Sequence, residues 1–107
     1  MTSTNNTHTD VLSIARRFAE RVKSEVDADA IVYLFGSFAR GDASDESDID
    51  MAVISRVFGK DISVDYGMLA VIAYRVNTDI EAHPIVYEDW IEATPFTKEV
   101  RKDGVLI

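Results

Sequence analysis

The sequence predicts an α/β (α+β) domain: a small mixed β-sheet with helices packed on one face, in the order α-β-β-α-β-α. Three observations lead there. Apolar residues recur at helical spacing in two long segments, short runs rich in β-formers separate and follow them, and glycine or threonine–proline signals punctuate the chain. With 107 residues the chain has room for one domain, and a hydrophobic fraction of 47% can fill its core.

The elements follow in order. Met1–Thr9 is polar and reads as a frayed, flexible segment, which leaves a domain over 10–107. From Asp10 to about Val26, Val11, Ile14, Ala15, Phe18 and Val22 form one apolar stripe between charges, the mark of a helix buried on one side. Ala30–Phe35 (AIVYLF) is an apolar run ending at Gly36, as a buried strand does. The turn Gly36–Gly41 and the polar stretch Asp42–Ser47 lead to a second strand, Asp48–Ile54 (DIDMAVI).

Gly59 and Lys60 mark a loop, after which Ile62, Tyr66, Leu69, Ile72, Ala73 and Val76 predict a second helix. A third strand over about Asn77–Val86 alternates Asp79, Glu81 and His83 with Ile80 and Ala82. Thr94 followed by Pro95 is an N-cap signal, and Gly104 after Lys98, Arg101 and Lys102 is a helix stop. Val105–Ile107 is an apolar tail, and Trp90 with Ile91 reads as packing for a short helix.

Composition narrows the function classes. Without cysteine there is neither a disulfide nor a thiolate metal site. No apolar run approaches the roughly 20 residues that cross a bilayer, so no membrane partner is expected and a cytoplasmic location is the default. The formal net charge is −8, with 19 acidic and 11 basic residues. Such a field repels phosphate backbones, which argues against nucleic acid as a partner but not against a nucleotide carried with cations.

The chemistry concentrates on the second strand. Asp48 and Asp50 project from one face, about 7 Å apart at their Cα atoms, while Ile49, Met51 and Val53 face the core. Two carboxylates so close favour a divalent cation, and Mg²⁺ suits oxygen ligands that leave room for phosphate oxygens. A third carboxylate on a neighbouring strand would allow two metals about 3.5–4 Å apart. Beside them, Gly36 lets backbone approach a ligand, Ser37 offers a hydroxyl near a helix N-terminus, and Arg40 can fork onto phosphate oxygens. His83, on the acidic face of the third strand, is read as a partly exposed structural histidine, with a role beside the metal as the alternative. His8 is given no role.

Each part alone is weak. The run Asp42–Asp50 lacks the glycine and closing glutamate of a calcium loop, and Asp42 stands where a phosphate-binding Walker loop requires lysine. Together, GSFARGDASDESDID resembles the signature of the DNA polymerase beta-type nucleotidyltransferase superfamily, and ARG with SDID is most similar to its minimal bacterial and archaeal members. The likeness is strong over Ala30–Ile54 and weaker in the closing KDGVLI.

The resemblance implies that Gly36, Ser37 and Arg40 hold a nucleoside triphosphate, with ATP as donor. It further implies that Asp48, Asp50 and a third carboxylate hold two Mg²⁺ ions. Asp79 corresponds best to that third carboxylate, with Glu81 as the substitute. It implies AMP transfer onto a tyrosine of a helical HEPN-domain toxin, in a toxin–antitoxin pair, or completion of the cleft by a homodimer. The alternatives are a catalytically idle antitoxin acting by contact and a small-molecule transferase of the aminoglycoside type.

Overall fold

Ile31–Phe35 (β1) and Ile49–Ser55 (β2) form an antiparallel pair at the centre of the sheet. Their sequences explain the position: Val32 and Leu34 are buried on one face, and Met51 to Ser55 are buried without a break. The computed structural model describes residues 7–107, with side chains from Asp10 onward. The expectation of a frayed start therefore lies outside the described residues for 1–6, whereas Thr7 already opens the first helix, α1 (Thr7–Glu25). His8 also falls outside the described side chains.

Ile80–Val86 (β3) lies parallel to β2, and Val105–Leu106 (β4) pairs antiparallel with β1, giving the order β3-β2-β1-β4. Parallel neighbours need a long crossover, and Ile62–Val76 (α3) supplies it. Asp61 caps that helix by accepting from the Ser63 and Val64 amides. The third strand starts later than the sequence suggests, because Asn77 ends α3 and its side chain accepts from the Asp79 amide. Pro84 stands in the middle of β3, opposite Val53.

Alternation sorts the two faces. Val11, Ala15, Phe18 and Val22 of α1 and Leu69, Ile72 and Ala73 of α3 pack on Val32, Leu34, Ile49, Met51 and Val53. Burying Phe18 completely contributes about 1.5–3 kcal/mol. Ile62 and Tyr66, which share the helical spacing that predicts α3, are exposed.

The expected mixed sheet is present, and the long helices do share one face. The opposite face is covered by two short helices, Tyr87–Glu92 (α4) and Pro95–Asp103 (α5), through Trp90 and Val100 against Ala52, Ile54 and Ile85. Trp90 lies 5.2 Å from the Tyr33 ring, and the Arg101 guanidinium stacks over it at 3.9 Å. The apolar tail is not loose: after Gly104 it turns back along β1 as β4, and the Ile107 amide donates to the Val32 carbonyl.

Candidate active site

The carboxylates sit where β2 passes between β1 and β3. Asp50 is in register with Phe35 on one side and Glu81 on the other. It is half-buried, on the face covered by the short helices. At the end of β1 the chain turns through Gly36, at φ 76°, into a single helical turn, Ser37–Arg40 (α2). Glycine is required there twice over: left-handed φ disfavours any side chain, and a Cβ would meet Asp50 Oδ2 at 2.2 Å. The turn and the carboxylate are therefore built against each other.

The structure separates the expected acidic residues. Asp48 is exposed, just before β2, yet close enough for its charge to act on Asp50. Asp79 is exposed in the turn before β3, and what it gives the sheet is its carbonyl, which accepts from the Ile49 amide. The carboxylate beside Asp50 is Glu81, the substitute candidate, because β2–β3 register sets those two residues opposite one another. Asp50, Glu81 and His83 bring ligand atoms within 4.8 Å of one another, and Asp79 is outside that group.

Electrostatics mark the same place. Burial raises the Asp50 pKa above the ordinary carboxylate value, and the charges of Glu81 and Asp48 add to it; His83 and Arg40 act the other way. A carboxyl held in this state gains from a cation, and two carboxylates with an imidazole are a donor set that a divalent ion fits. His83 Nε2 lies 3.3 Å from Glu81 Oε1. Its ring is walled by Phe35, Phe96 and Tyr66, with centroids at 5.5, 5.9 and 6.2 Å.

Two hollows flank the carboxylate row. On the β1 side, a polar cleft of about 520 Å³ is lined by Gly36, Ser37, Arg40, Asp50, Glu99 and Lys102. On the β3 side, a groove of about 510 Å³ is lined by Tyr66, Ala70, Tyr74, Ile80, Glu81 and His83. The cleft thus gathers the sequence-predicted Gly36, Ser37, Arg40 and Asp50. Lys102 and Glu99 were not foreseen in it: they reach the cleft from α5, and no local pattern in the sequence announces that docking. Arg40 also holds Asp42 at 3.4 Å, an exposed pair that leaves its guanidinium free to exchange partners.

Residues 15–103 match the family model described as nucleotidyltransferase domain. The chain belongs to this family. This nucleotidyltransferase domain is 30% identical over 100 residues to a protein of Methanocaldococcus jannaschii provisionally named protein adenylyltransferase. That match covers 90% of this chain and 97% of the relative. In fold, the nucleotidyltransferase domain is similar to a crystal structure from Sulfolobus solfataricus, provisionally titled a nucleotidyltransferase. The TM-score is 0.68 at 24% identity, over 99% of this chain and 86% of that one. The strand–turn–strand carrying Gly36, Ser37 and Asp50 lies wholly inside the family match. Among the described residues, no helix is long and apolar enough to cross a membrane.

Proposed function

We propose that this nucleotidyltransferase is a cation-dependent protein adenylyltransferase, moving AMP from ATP onto a tyrosine hydroxyl of a partner protein. The observation that carries the reading is the row Phe35–Asp50–Glu81, with a polar cleft on one side and an apolar-walled groove on the other. In-line displacement at phosphorus needs the entering and leaving oxygens on opposite sides of the reacting atom. The cleft has the cations for the leaving pyrophosphate, Arg40 and Lys102, with the Ser37 hydroxyl beside them. The groove has Tyr66, Tyr74 and Ala70 to hold an aromatic body and Glu81 to receive its hydroxyl.

Asp48, Asp50 and Glu81 would hold the divalent cations, with Mg²⁺ carried in by ATP and Asp79 at the rim. The cations, when bound, lower the pKa of the acceptor hydroxyl and offset charge on the phosphates. Gly36 and Ser37 position the triphosphate, Arg40 forks onto it, and Glu81 accepts the hydrogen bond from the entering hydroxyl. A new bond forms from the hydroxyl oxygen to the α-phosphorus as the bond to the bridging oxygen breaks, and the hydroxyl proton passes to the Glu81 carboxylate that held it. Pyrophosphate leaves through the cleft.

The name of the Methanocaldococcus relative supports a protein acceptor. The resemblance to minimal nucleotidyltransferases supports a HEPN-domain toxin as that acceptor, with this chain as its antitoxin. The test is to incubate the domain with the product of the adjacent gene, labelled ATP and Mg²⁺. A partner tyrosine gains AMP, and Asp50→Asn lowers the rate at least about 10²-fold, the loss expected when a group stabilising charge by several kcal/mol is removed. An unlabelled partner beside an active control transferase defeats the proposal.

One observation favours a second reading, neutralisation by contact alone: α3 leaves Val64, Val71 and Tyr74 exposed, at 62%, 52% and 73%. Neutralisation that survives Asp48→Asn with Asp50→Asn would select it.

A further inference from the structure

His83 is not needed by the mechanism above, yet it stands inside the carboxylate group. Its ligand atom and those of Asp50 and Glu81 lie within 4.8 Å of one another, close enough for one ion to bridge them. The exposed Asp48 contributes none of these atoms. Three rings fence the imidazole, so its orientation toward Glu81 is set by packing and not by solvent. We infer that His83 is a ligand of the inner cation, and that this ion is a first-row transition metal, with Mn²⁺ as its probe, in preference to Mg²⁺.

The argument is one of donor chemistry. Mg²⁺ demands near-ideal octahedral oxygen ligands at about 2.0–2.1 Å and parts reluctantly with water. An imidazole nitrogen adds little for Mg²⁺, whereas first-row transition ions bind mixed nitrogen and carboxylate sets and gain from the nitrogen. In the metal-free protein, Nε2 already stands 3.3 Å from Glu81 Oε1, so the nitrogen and the carboxylate oxygen are side by side before an ion arrives. A set of carboxylates alone would leave the ion to be chosen by abundance. A nitrogen in the set makes the site itself select. The inference rests on the cluster being the nucleotidyl-transfer centre, and it assigns the inner and the ATP-borne cation to different elements.

The experiment uses the full chain without nucleotide, titrated with Mn²⁺ and followed by loss of the free-ion electron paramagnetic resonance signal. Pulsed spectra then report whether ¹⁴N is directly bound. The chain has two histidines, so in His8→Gln any imidazole coupling comes from His83. Expected are imidazole coupling in the parent and in His8→Gln, and its loss in His83→Gln. There the preference for Mn²⁺ over Mg²⁺ should also fall about tenfold or more. Absence of coupling in His8→Gln overturns the inference, and so does displacement of Mn²⁺ by equimolar Mg²⁺. If His83→Gln fails to fold, the His8→Gln spectrum decides alone. Failure to label a partner while the coupling persists would remove the transferase proposal and leave this one standing. Full transfer with oxygen-only ligation would do the reverse.

Discussion

At the scale of single residues, Gly36 and Asp50 constrain each other. Gly36→Ala forces a side chain into left-handed backbone and drives Cβ to 2.2 Å from the carboxylate oxygen. The expected cost is about 1–3 kcal/mol, visible as a melting point lower by about 4–8 °C per kcal/mol. Transfer should slow about 10²-fold, since shifting a reacting group by an ångström has that effect. Asp50 also predicts a pH dependence. Its pKa is raised in the folded, metal-free state by burial and by Glu81 and Asp48, so the fold holds that proton more tightly than the unfolded chain does. Below the unfolded carboxylate value, the native state carries no ionic penalty at this position. As pH rises through the folded value the penalty appears in full, and stability falls. Melting curves in chelator should therefore show Asp50→Asn more stable than the parent at neutral pH, with the difference vanishing in acid. A parent that remains the more stable of the two at neutral pH would contradict this account.

At the scale of elements, legibility followed burial pattern and motif. The stripe Val11–Val22 and the run Ala30–Phe35 were readable because period alone decides a one-sided helix and a buried strand. Gly36, Ser37, Arg40 and Asp50 were readable because they are adjacent along a strand–turn–strand. The placement of Glu81 beside Asp50 was not, since alternation puts Asp79 and Glu81 on one side and only the register Asp50↔Glu81 sets one of them opposite the aspartate. Nor was the docking of α5, whose Lys102 reaches the cleft through tertiary packing of Val100 and Trp90. The surroundings of His83 were not readable either, for the same reason: three ring contacts from distant segments give it its place. Helix α5 makes its own prediction. Thr94 caps it by accepting from the Thr97 amide, so Thr94→Ala should cost about 1 kcal/mol of stability in a denaturant titration. Because Lys102 travels with the helix, the apparent affinity for ATP should weaken in the same variant. Unchanged ATP affinity would detach α5 from the cleft.

At the scale of the whole molecule, a net charge of −8 surrounds a site that must accept a polyanion. On the proposed function, cations reconcile the two. A divalent ion that binds the folded state alone stabilises it by about 2.7 kcal/mol at a hundred times its dissociation constant. The melting point should thus rise by about 10 °C or more on adding Mn²⁺ at neutral pH, and not in Asp50→Asn. The mixed sheet has one further property. Its outer strand β3 carries Pro84 at mid-length, where an amide hydrogen is missing, and proline in a sheet stands with that position turned outward. The other rim is only the dipeptide Val105–Leu106. Neither border offers an incoming chain a full ladder, so end-to-end fibril growth by strand accretion is discouraged on both sides. Replacing that proline would remove one of the two safeguards, and slow amyloid-type precipitation of the folded protein is the symptom to watch for.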